Sequence, residues 1–338
     1  MKPSFTLTVA GVDRTSEVAD RLLSISINDE AGQKSDTVDI TLDDRDNVLP
    51  IPANKAEIAV SLGYEGIGQL RDMGSYTVDE ISISRNPETM KIRGKAAETS
   101  SSFKVAKTRS FHQQTIGEII ATIAGDHGLT PRVAAVYGSK MIEHIDQENE
   151  SDAHFCTRLA GLYGAVSKPI SNGGAKYLVF VPEGEGAAAS GQALGSVTIK
   201  GKDMLSLRAS IKDRGNFSGV ITRYRDKEIN AEIEVEVENP ASGFLGATTE
   251  KFRDKKLYTS EDMARSAGEA KLKQLNTGNV QIDFSIEGNP DIFAEQKLKL
   301  RGVRDPLTSQ DWIIKSVKHT FTNSGFTTAV SAHNKPAG

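Results

Sequence analysis

One β-rich sequence pattern occurs twice in this chain, which constrains the fold to a β-rich architecture with internal symmetry. The first copy runs from Leu-Ser-Ile at 23–25 through Val-Asp-Ile-Thr-Leu at 38–42 to Arg-Asp at 45–46. The second runs from Leu-Ser-Leu at 205–207 through Val-Ile-Thr at 220–222 to Arg-Asp at 225–226. Tyr76 and the five residues after it likewise match Trp312 and the five residues after it. Two similar β units per chain would let a trimer present six similar units around an axis, which predicts a symmetry adaptor rather than an enzyme.

Residues 4–103 consist of short segments in which apolar and polar side chains alternate, with turns at Gly11, Gly63 and Asn86-Pro87. Alternation with a period of two predicts half-buried β-strands. The clearest segments are 5–9, 24–27, 38–42, 58–62 and 81–83. Many short strands separated by Gly and Pro predict a small barrel or a sandwich. We therefore predict a first β-barrel domain over residues 1–103.

The pattern changes after this region, because apolar residues recur at helical spacing. Thr115 and Glu118 form a capping-box pattern ahead of one apolar face, and Gly128 ends the segment. A second helix is predicted from Ser151 to a stop near Gly164. Short β segments at 132–134, 142–145 and 177–181 flank the two helices. The second predicted domain is an α/β module with two helices over residues 104–185.

A stretch rich in Gly, Ala and Ser at 182–195 predicts a linker to the rest of the chain. The third predicted domain is a second β-barrel over 186–338, related to the first. It carries a helix-containing insertion at about 227–280, with Thr259 as the predicted helix cap. The fold class is therefore β-rich α+β: two related antiparallel β-barrels, an α/β module between them and a helical insertion in the second barrel.

Composition excludes several function classes. The chain has 338 residues, a formal net charge of −4 and one cysteine. The absence of a basic excess argues against specific nucleic-acid binding. A single cysteine excludes an intrachain disulfide framework and fits assembly in a reducing cytoplasm. The N-terminal residues form no signal core, and no apolar run approaches the roughly 20 residues of a membrane helix. We expect no membrane insertion.

Candidate chemical groups do not form a catalytic, cofactor or metal pattern. The histidines show no zinc-type spacing, and the best trio is His144, His154 and Cys156. Cys156 lies within the predicted second helix, which favours a buried filler over a nucleophile. Acidic pairs at 43–44 and 261–262 fit turn and helix-cap positions better than a pair of catalytic carboxylates. The glycine-rich segments at 63–68 and 184–186 match no phosphate-binding loop. The histidines are His112, His127, His144, His154, His319 and His333.

The run Ala-Glu-Ile-Glu-Val-Glu-Val-Glu at 231–238 has a strict period of two. As a strand, it would place Ile233, Val235 and Val237 on one face and four glutamates on the other. Two interpretations remain open. The glutamates form a solvated outer face, which we favour, or they form an acidic surface that meets a partner or lines a channel.

Three segments together resemble the phage late control protein D family, the tail hub proteins of contractile tails. The first combines residues 21–27 with the Asp-Asp-Arg-Asp sequence at 43–46. The second and most specific is Ser-Asp-x-x-Phe-x-x-Arg-Leu-Ala-x-x-Tyr-Gly-Ala, which begins at Ser151. The third is Val-Lys-His-Thr at 317–320 with Gly-Phe-Thr-Thr at 325–328. The similarity spans nearly the whole chain and extends to the N-terminal part of type VI secretion spike proteins.

The resemblance implies a homotrimeric baseplate hub of a contractile phage tail or a headless, tailocin-like particle. Such a hub adapts the sixfold tail tube to a threefold spike, and its implied partners are the spike trimer, the tail tube protein, the tape measure protein and other baseplate proteins. Its implied location is the tail baseplate. The chain ends without spike repeats or a lysozyme-like domain, which predicts that these belong to separate chains. The alternatives are a tail-tip peptidoglycan hydrolase and a cell-wall-binding module.

Overall fold

The computed structural model describes residues 2–31, 36–96, 101–172, 175–182, 195–211, 217–226, 229–239, 250–276 and 280–334. The glycines at 184–186 and most of the predicted linker lie outside these ranges. The described chain is β-rich, with mostly antiparallel strand pairs and few helices. No described helix is long and apolar enough to cross a membrane.

The chain divides into two compact units, each built from separate stretches of sequence. The first comprises Met1–Glu98, Ser196–Arg208 and Ile282–Ala332. The second comprises Thr99–Gly195, Ala209–Gln281 and His333–Gly338. The segment 227–280, predicted as an insertion in the second barrel, therefore shares a unit with the predicted α/β module. The division into three domains at 1–103, 104–185 and 186–338 stays a prediction.

The N-terminal part of the chain forms seven strands and a single helical turn, as the alternating pattern predicts. Each of the five strands predicted in this region is present, whereas the second and the seventh of the observed strands were not predicted. Val38, Ile40 and Leu42 point into the core while Asp39 and Thr41 do not, so the period of two is visible in burial. The elements are β1 Pro3–Val9, β2 Val12–Asp13, α1 Thr15–Val18, β3 Leu22–Glu30, β4 Thr37–Asp43, β5 Glu57–Tyr64, β6 Arg71–Ser84 and β7 Thr89–Ala96.

The next part of the chain contains the two predicted helices. Thr115 and Glu118 form the predicted capping box, and Ser151 caps the second helix by accepting a hydrogen bond from the His154 backbone N–H. Gly128 and Gly164 follow the helix ends with positive φ angles of 66° and 61°. The elements are β8 Ala106–Thr115, α2 Ile116–Asp126, β9 Thr130–Val133, α3 Ala135–Gly138, β10 Met141–Ser151, α4 Asp152–Leu162, β11 Ala165–Asn172 and β12 Ala175–Pro182.

The last part of the chain contains one long helix among nine strands. The cap of this helix differs from the prediction: Ser260, rather than Thr259, accepts the hydrogen bond from the Met263 backbone N–H. Thr259 instead directs its hydroxyl to the Met263 sulfur, because the helix begins one residue later than the sequence suggested. The elements are β13 Ser196–Lys200, β14 Met204–Ile211, β15 Gly219–Asp226, β16 Ala231–Glu238, β17 Lys251–Tyr258, α5 Glu261–Asn276, β18 Val280–Glu287, β19 Lys297–Arg301, β20 Trp312–Thr322 and β21 Gly325–Asn334.

A 13-stranded sheet forms the first unit. Its neighbouring strands run in the order β14-β18-β21-β20-β3-β4-β7-β6-β5-β1-β2, and β19 links β13 to β20. One face of the sheet carries the apolar side chains that form the core, including Ile25, Ile40, Ile58 and Met90. Because the strands alternate, the opposite face is polar.

The second unit contains three small sheets, β10-β8, β11-β12-β9 and β16-β15-β17. Its core joins α2 and α4 to these sheets and includes Ile119, Phe155, Leu159 and Phe180. The predicted burial of Phe155 and Leu159 is confirmed, since both are 0% exposed. The spacing of apolar residues in the two helices therefore correctly indicated which side of each helix packs in the core.

Candidate interaction surfaces

Two series of strands in the large sheet follow the same order. One series is β3-β4-β7-β6-β5, and the other is β14-β18-β21-β20-β19. In each series the third and fourth strands are consecutive in the chain but in reverse order, β6 before β7 and β20 before β21. This repeated strand order locates the second copy of the sequence pattern more reliably than a comparison of residue types alone.

The predicted match of residues 38–42 with 220–222 is wrong. Residues 220–222 lie in β15, which belongs to a different sheet in the second unit. The strand beside β14 is β18, as β4 is beside β3. Its Ile-Asp-Phe-Ser-Ile sequence at 282–286 repeats Val-Asp-Ile-Thr-Leu at 38–42 in pattern and in an aspartate at the second position. An insertion of one whole sheet and a helix between the copies hid this match from sequence comparison.

Tyr76 and Trp312 occupy the same place in their two series. Tyr76 pairs with Ile58, the second residue of β5, and Trp312 pairs with Leu298, the second residue of β19. In both β6 and β20, the alternation of buried and exposed residues then shifts by one residue at the same point. After Val78 in β6 the core-facing residues become Ile81 and Ile83, whose partners Ile92 and Met90 are buried. In β20, Trp312 and Ile314 are buried, followed by Val317, His319 and Phe321.

The two series are joined inside the chain by β20 and β3. Residues 316–322 of β20 pair antiparallel with residues 24–30 of β3, and we call this pairing the internal junction. Its core-side residues are fully enclosed: Val317, His319 and Ile25 are each 1% exposed or less. Phe321 extends the packing by an edge-on contact with Phe5, with ring centroids 5.2 Å apart.

Each series also has a corresponding edge without such a neighbour among the described strands. At one end of the sheet order stands β14, beside β18 alone. The pairs of β6 with β5 end at Thr77, and Val78 still donates a backbone hydrogen bond to the Ala56 carbonyl at 2.9 Å, so residues 79–84 of β6 pair only with β7. Ile83 is 55% exposed and Leu207 is 38% exposed at these edges. Apolar side chains on an unpaired strand edge are characteristic of a docking surface.

The polar face of the sheet forms a concave groove of about 400 Å³. Ser206, Asp283, Ser331, Lys318 and Asn28 contribute to it from five adjacent strands, β14, β18, β21, β20 and β3. Hydrogen bonds run between neighbouring strands, from the Ser331 hydroxyl to Asp283 at 2.7 Å and between the Ser206 and Ser285 hydroxyls at 2.6 Å.

The acidic run at 231–238 forms β16, and its glutamates are exposed as the favoured interpretation expects. They are not a bare anionic surface, because cations of the neighbouring strands pair with them. Arg223 approaches Glu232 at 2.9 Å, Arg253 approaches Glu234 at 2.6 Å, and Lys251 pairs with Glu236. These contacts balance much of the negative charge of the face.

A buried carboxylate organises the start of α4. Asp152 is fully buried and its side chain binds Lys107 at 2.7 Å, Arg109 at 2.6 Å and His127 at 2.7 Å. Gln147 donates a further hydrogen bond at 2.8 Å. Burial alone would raise the pKa of Asp152, but the hydrogen bonds and the nearby cations outweigh it and lower the pKa to about 2. The cluster ties α4 to β8, β10 and the end of α2.

The proposed zinc-type trio does not converge. Cys156 is buried, and burial raises the pKa of its thiol to about 12, whereas His154 is exposed on the same helix. His144 lies on β10 instead, with its Nδ1 3.0 Å from Nδ1 of His112 and its Nε2 2.9 Å from Asp146. Among the described residues, no three His, Cys, Asp or Glu side chains are grouped to hold a metal ion.

His319 was missed as a structural residue by the sequence analysis. It is fully buried in β20, between the Thr328 hydroxyl at 3.1 Å and the Ile292 carbonyl at 3.1 Å. Burial lowers the pKa of its imidazole to about 4. The sequence did contain a signal for its burial, because His319 lies two residues before Phe321 and therefore on the same, core-facing side of the strand.

The segment that begins at Ser151 contains a second ion pair besides that of Asp152, and it is formed by Arg158. Its guanidinium binds Glu150 at 2.7 Å and donates to the Asp146 carbonyl at 2.6 Å. Residues 99–325 match the family model described as phage tail baseplate hub (GPD). The chain belongs to this family.

Two curated relatives extend the similarity of this hub-family chain over its whole length. The probable baseplate hub protein of Escherichia phage 186 is 30% identical, over 99% of this chain and 94% of the relative. The probable baseplate hub protein of Escherichia phage P2 is 29% identical, over 98% and 92%.

Solved structures share the fold of the hub-family chain. The 43 kDa tail protein of prophage MuSo2 from Shewanella oneidensis matches with a TM-score of 0.70 at 15% identity, over 98% of each chain. An E. coli component of the type VI secretion system, described as similar to T4 tail proteins, matches with a TM-score of 0.56 at 12% identity. That match covers 100% of this chain and 77% of the other. At such identities, the likeness shows the fold alone.

Proposed function

We propose that this chain is the structural hub of a contractile phage tail or phage-derived particle, a homotrimer that adapts a sixfold tail tube to a threefold spike. Family membership and the names of the two curated relatives support the baseplate location. The spike trimer, the tube protein, the tape measure protein and other baseplate proteins are the proposed partners. Assembly takes place in the bacterial host cytoplasm.

The observation that carries this proposal is the repeated strand order. A chain with two series of strands in one order, β3-β4-β7-β6-β5 and β14-β18-β21-β20-β19, carries two related barrel-type units. Three copies then offer six similar units on the tube side, while every other surface repeats only three times. A single chain can in this way match both symmetries without two different proteins.

The proposed function needs no active site. In place of a catalytic cleft, the described residues offer a buried thiol with a raised pKa, a carboxylate already bound by Lys107, Arg109 and His127, and glutamates paired on an exposed face. A glycosidase would need two carboxyl groups across a cleft, one of them with a raised pKa. Activity on purified cell walls would favour the alternative of a tail-tip peptidoglycan hydrolase.

The direct experiment is to co-express the chain with its spike and to measure the mass of the complex by light scattering. We expect three hub chains per spike trimer, with interfaces that bury on the order of 2,000 Å² or more. A hub chain that stays monomeric and never associates with the spike would contradict the proposal.

A further inference from the structure

Two histidines face each other across the strand pair of β8 and β10. His144 is directly opposite His112 in the register of the two strands, and the Nδ1 atoms of their rings lie 3.0 Å apart. The rings are stacked, with centroids 4.5 Å apart and an angle of 30° between their planes. Because the nitrogen atoms are closer together than the ring centres, the two imidazoles converge at Nδ1.

Hydrogen bonds on the same face orient the His144 ring. Its Nε2 lies 2.9 Å from Asp146, two residues further along β10, and the other oxygen of that carboxylate accepts from the Ser110 hydroxyl of β8. A carboxylate only accepts hydrogen bonds, so Nε2 of His144 carries the proton and Nδ1 of the neutral ring carries a lone pair. This lone pair is directed at His112.

The core holds the strand pair beneath the two histidines. Phe111 and Ile145 are also opposite each other in the register, and both are buried on the other face. Phe111 packs against Phe155 of α4, with ring centroids 5.3 Å apart. The two imidazoles are therefore carried on regular, supported strands rather than on loops, which holds their separation before a ligand arrives.

The separation of the two nitrogen atoms suits a shared metal ion. At a metal–nitrogen distance of about 2.1 Å, two ligand nitrogens lie about 3.0 Å apart at a right angle and about 3.4 Å apart at a tetrahedral angle. The contact between His112 and His144 holds one proton, and a metal ion would take its place while His112 carries its proton on Nε2 instead. The rings would adjust by rotation about their Cβ–Cγ bonds, which are soft torsions.

We propose that His112 and His144 chelate one divalent transition-metal ion through their Nδ1 atoms, and that Asp146 positions His144 for this role. Imidazole suits Zn²⁺, Ni²⁺ and Cu²⁺, whereas Mg²⁺ and Ca²⁺ prefer oxygen ligands. The His144 side chain is 40% exposed, so water molecules complete the coordination. A carboxylate on the far nitrogen is the usual partner of a metal-binding histidine, because it fixes the ring and strengthens the other nitrogen as a ligand.

The spacing of residues along the chain does not reveal this pair. The two histidines are 32 residues apart, and the register of β8 with β10 brings them together. The expectation of no metal site came from spacing along the chain, which carries no information on contacts between strands. A bound ion would bridge the two strands and stabilise the folded chain, since the unfolded chain does not hold the rings together.

Calorimetric titration of Ni²⁺ into the full chain, purified without a histidine tag, tests the site. Ni²⁺ is the probe because it accepts nitrogen ligands at right angles. The test variants are His112→Asn and His144→Asn, and the matched control His154→Asn removes an exposed histidine of α4. We expect one ion per unsubstituted chain and no change in the control. Each test variant should lose on the order of 100-fold in affinity, because a single imidazole does not chelate.

Asp146→Asn tests the positioning role and leaves both ligands in place. It should weaken Ni²⁺ binding about tenfold without changing the number of ions bound. Thermal melting in the presence of a chelator establishes that each variant folds. Added Ni²⁺ should then raise the melting temperature of the unsubstituted chain and of the His154→Asn control, but not of either test variant.

The outcomes decide the two parts of the inference separately. An unsubstituted chain that does not bind Ni²⁺, or a folded His112→Asn or His144→Asn variant that binds it as tightly as the unsubstituted chain, overturns chelation by this pair. An unchanged affinity in Asp146→Asn overturns the positioning role of Asp146. None of these results bears on the hub proposal, which depends on the mass of the complex with the spike.

Discussion

His319 makes the stability of the first unit depend on pH in a predictable direction. Its Nε2 donates to the Ile292 carbonyl at 3.1 Å and its Nδ1 lies 3.1 Å from the Thr328 hydroxyl, but the ring is buried away from water, and this burial disfavours the charged imidazole. The folded-state pKa is about 4, below the ordinary value of 6.5. The unfolded chain therefore binds this proton more readily than the folded one, and stability falls as pH decreases through 6.5 until it levels off below 4.

The expected magnitude follows from these two pKa values. Linkage gives a loss of about 2 kcal/mol between pH 8 and pH 5, and about 3 kcal/mol once the pH is below 4. The variant His319→Gln removes the titrating group, so the pH dependence of its unfolding free energy should be smaller than that of the unsubstituted chain by this amount. The exposed His154→Gln variant is the matched control, and its pH dependence should be unchanged.

Trp312 provides the assay. It is the single tryptophan of the chain, is 1% exposed and lies in the same strand as His319. Urea unfolding followed by its fluorescence at pH 8 and pH 5 gives the free energy for each variant. If His319→Gln kept the full pH dependence of the unsubstituted chain, the buried neutral imidazole would not be its source, and the argument would fail.

Further predictions concern the second unit. Phe155→Ala should cost about 3–5 kcal/mol of unfolding free energy, because a fully enclosed ring leaves a cavity; a loss below about 1 kcal/mol would show that this face is not core. Asp152→Asn should cost about 3 kcal/mol, because it leaves the surrounding cations without their buried counter-charge; equal denaturation curves for variant and parent would refute this. Glu234→Lys, which opposes Arg253 on an exposed face, should cost less than about 1 kcal/mol and leave particle assembly intact; failed assembly of a folded variant would indicate a partner surface instead.

Local sequence patterns predicted the elements that local physics determines. The capping box at Thr115, the cap at Ser151 and the apolar face with Phe155 were all found where the spacing placed them. Each depends on contacts within one helical turn or on the side of the helix that meets the core. The single-residue error at Thr259 has the same basis, since adjacent Thr and Ser residues are equivalent caps by pattern.

Strand pairing over long distances was not accessible in the same way. The equivalence of 38–42 with 282–286 depends on which strands become neighbours, and the β-branched run at 220–222 in β15 also predicts a strand. The ion pairs of the β16 glutamates could not be predicted for the same reason. Lys251 and Arg253 lie on β17, which pairs with β15 and not with β16 itself. Periodicity identifies a strand and its faces but does not identify its neighbours.

The internal junction gives a physical reason for two series of strands in one chain rather than six separate copies. Joining them covalently makes every second contact between the six series of the proposed trimer intramolecular, so its formation does not depend on protein concentration. The remaining contacts can then differ in chemistry from the internal ones. His319, whose pKa is lowered to about 4 by burial, lies in the junction that forms on folding, whereas its counterpart Ile83 lies at an edge where it is 55% exposed. An exposed imidazole would be charged more often and costly to enclose at assembly, while an isoleucine gains free energy from the same enclosure at any pH. The assignment of these two residues to the two kinds of contact follows from that difference.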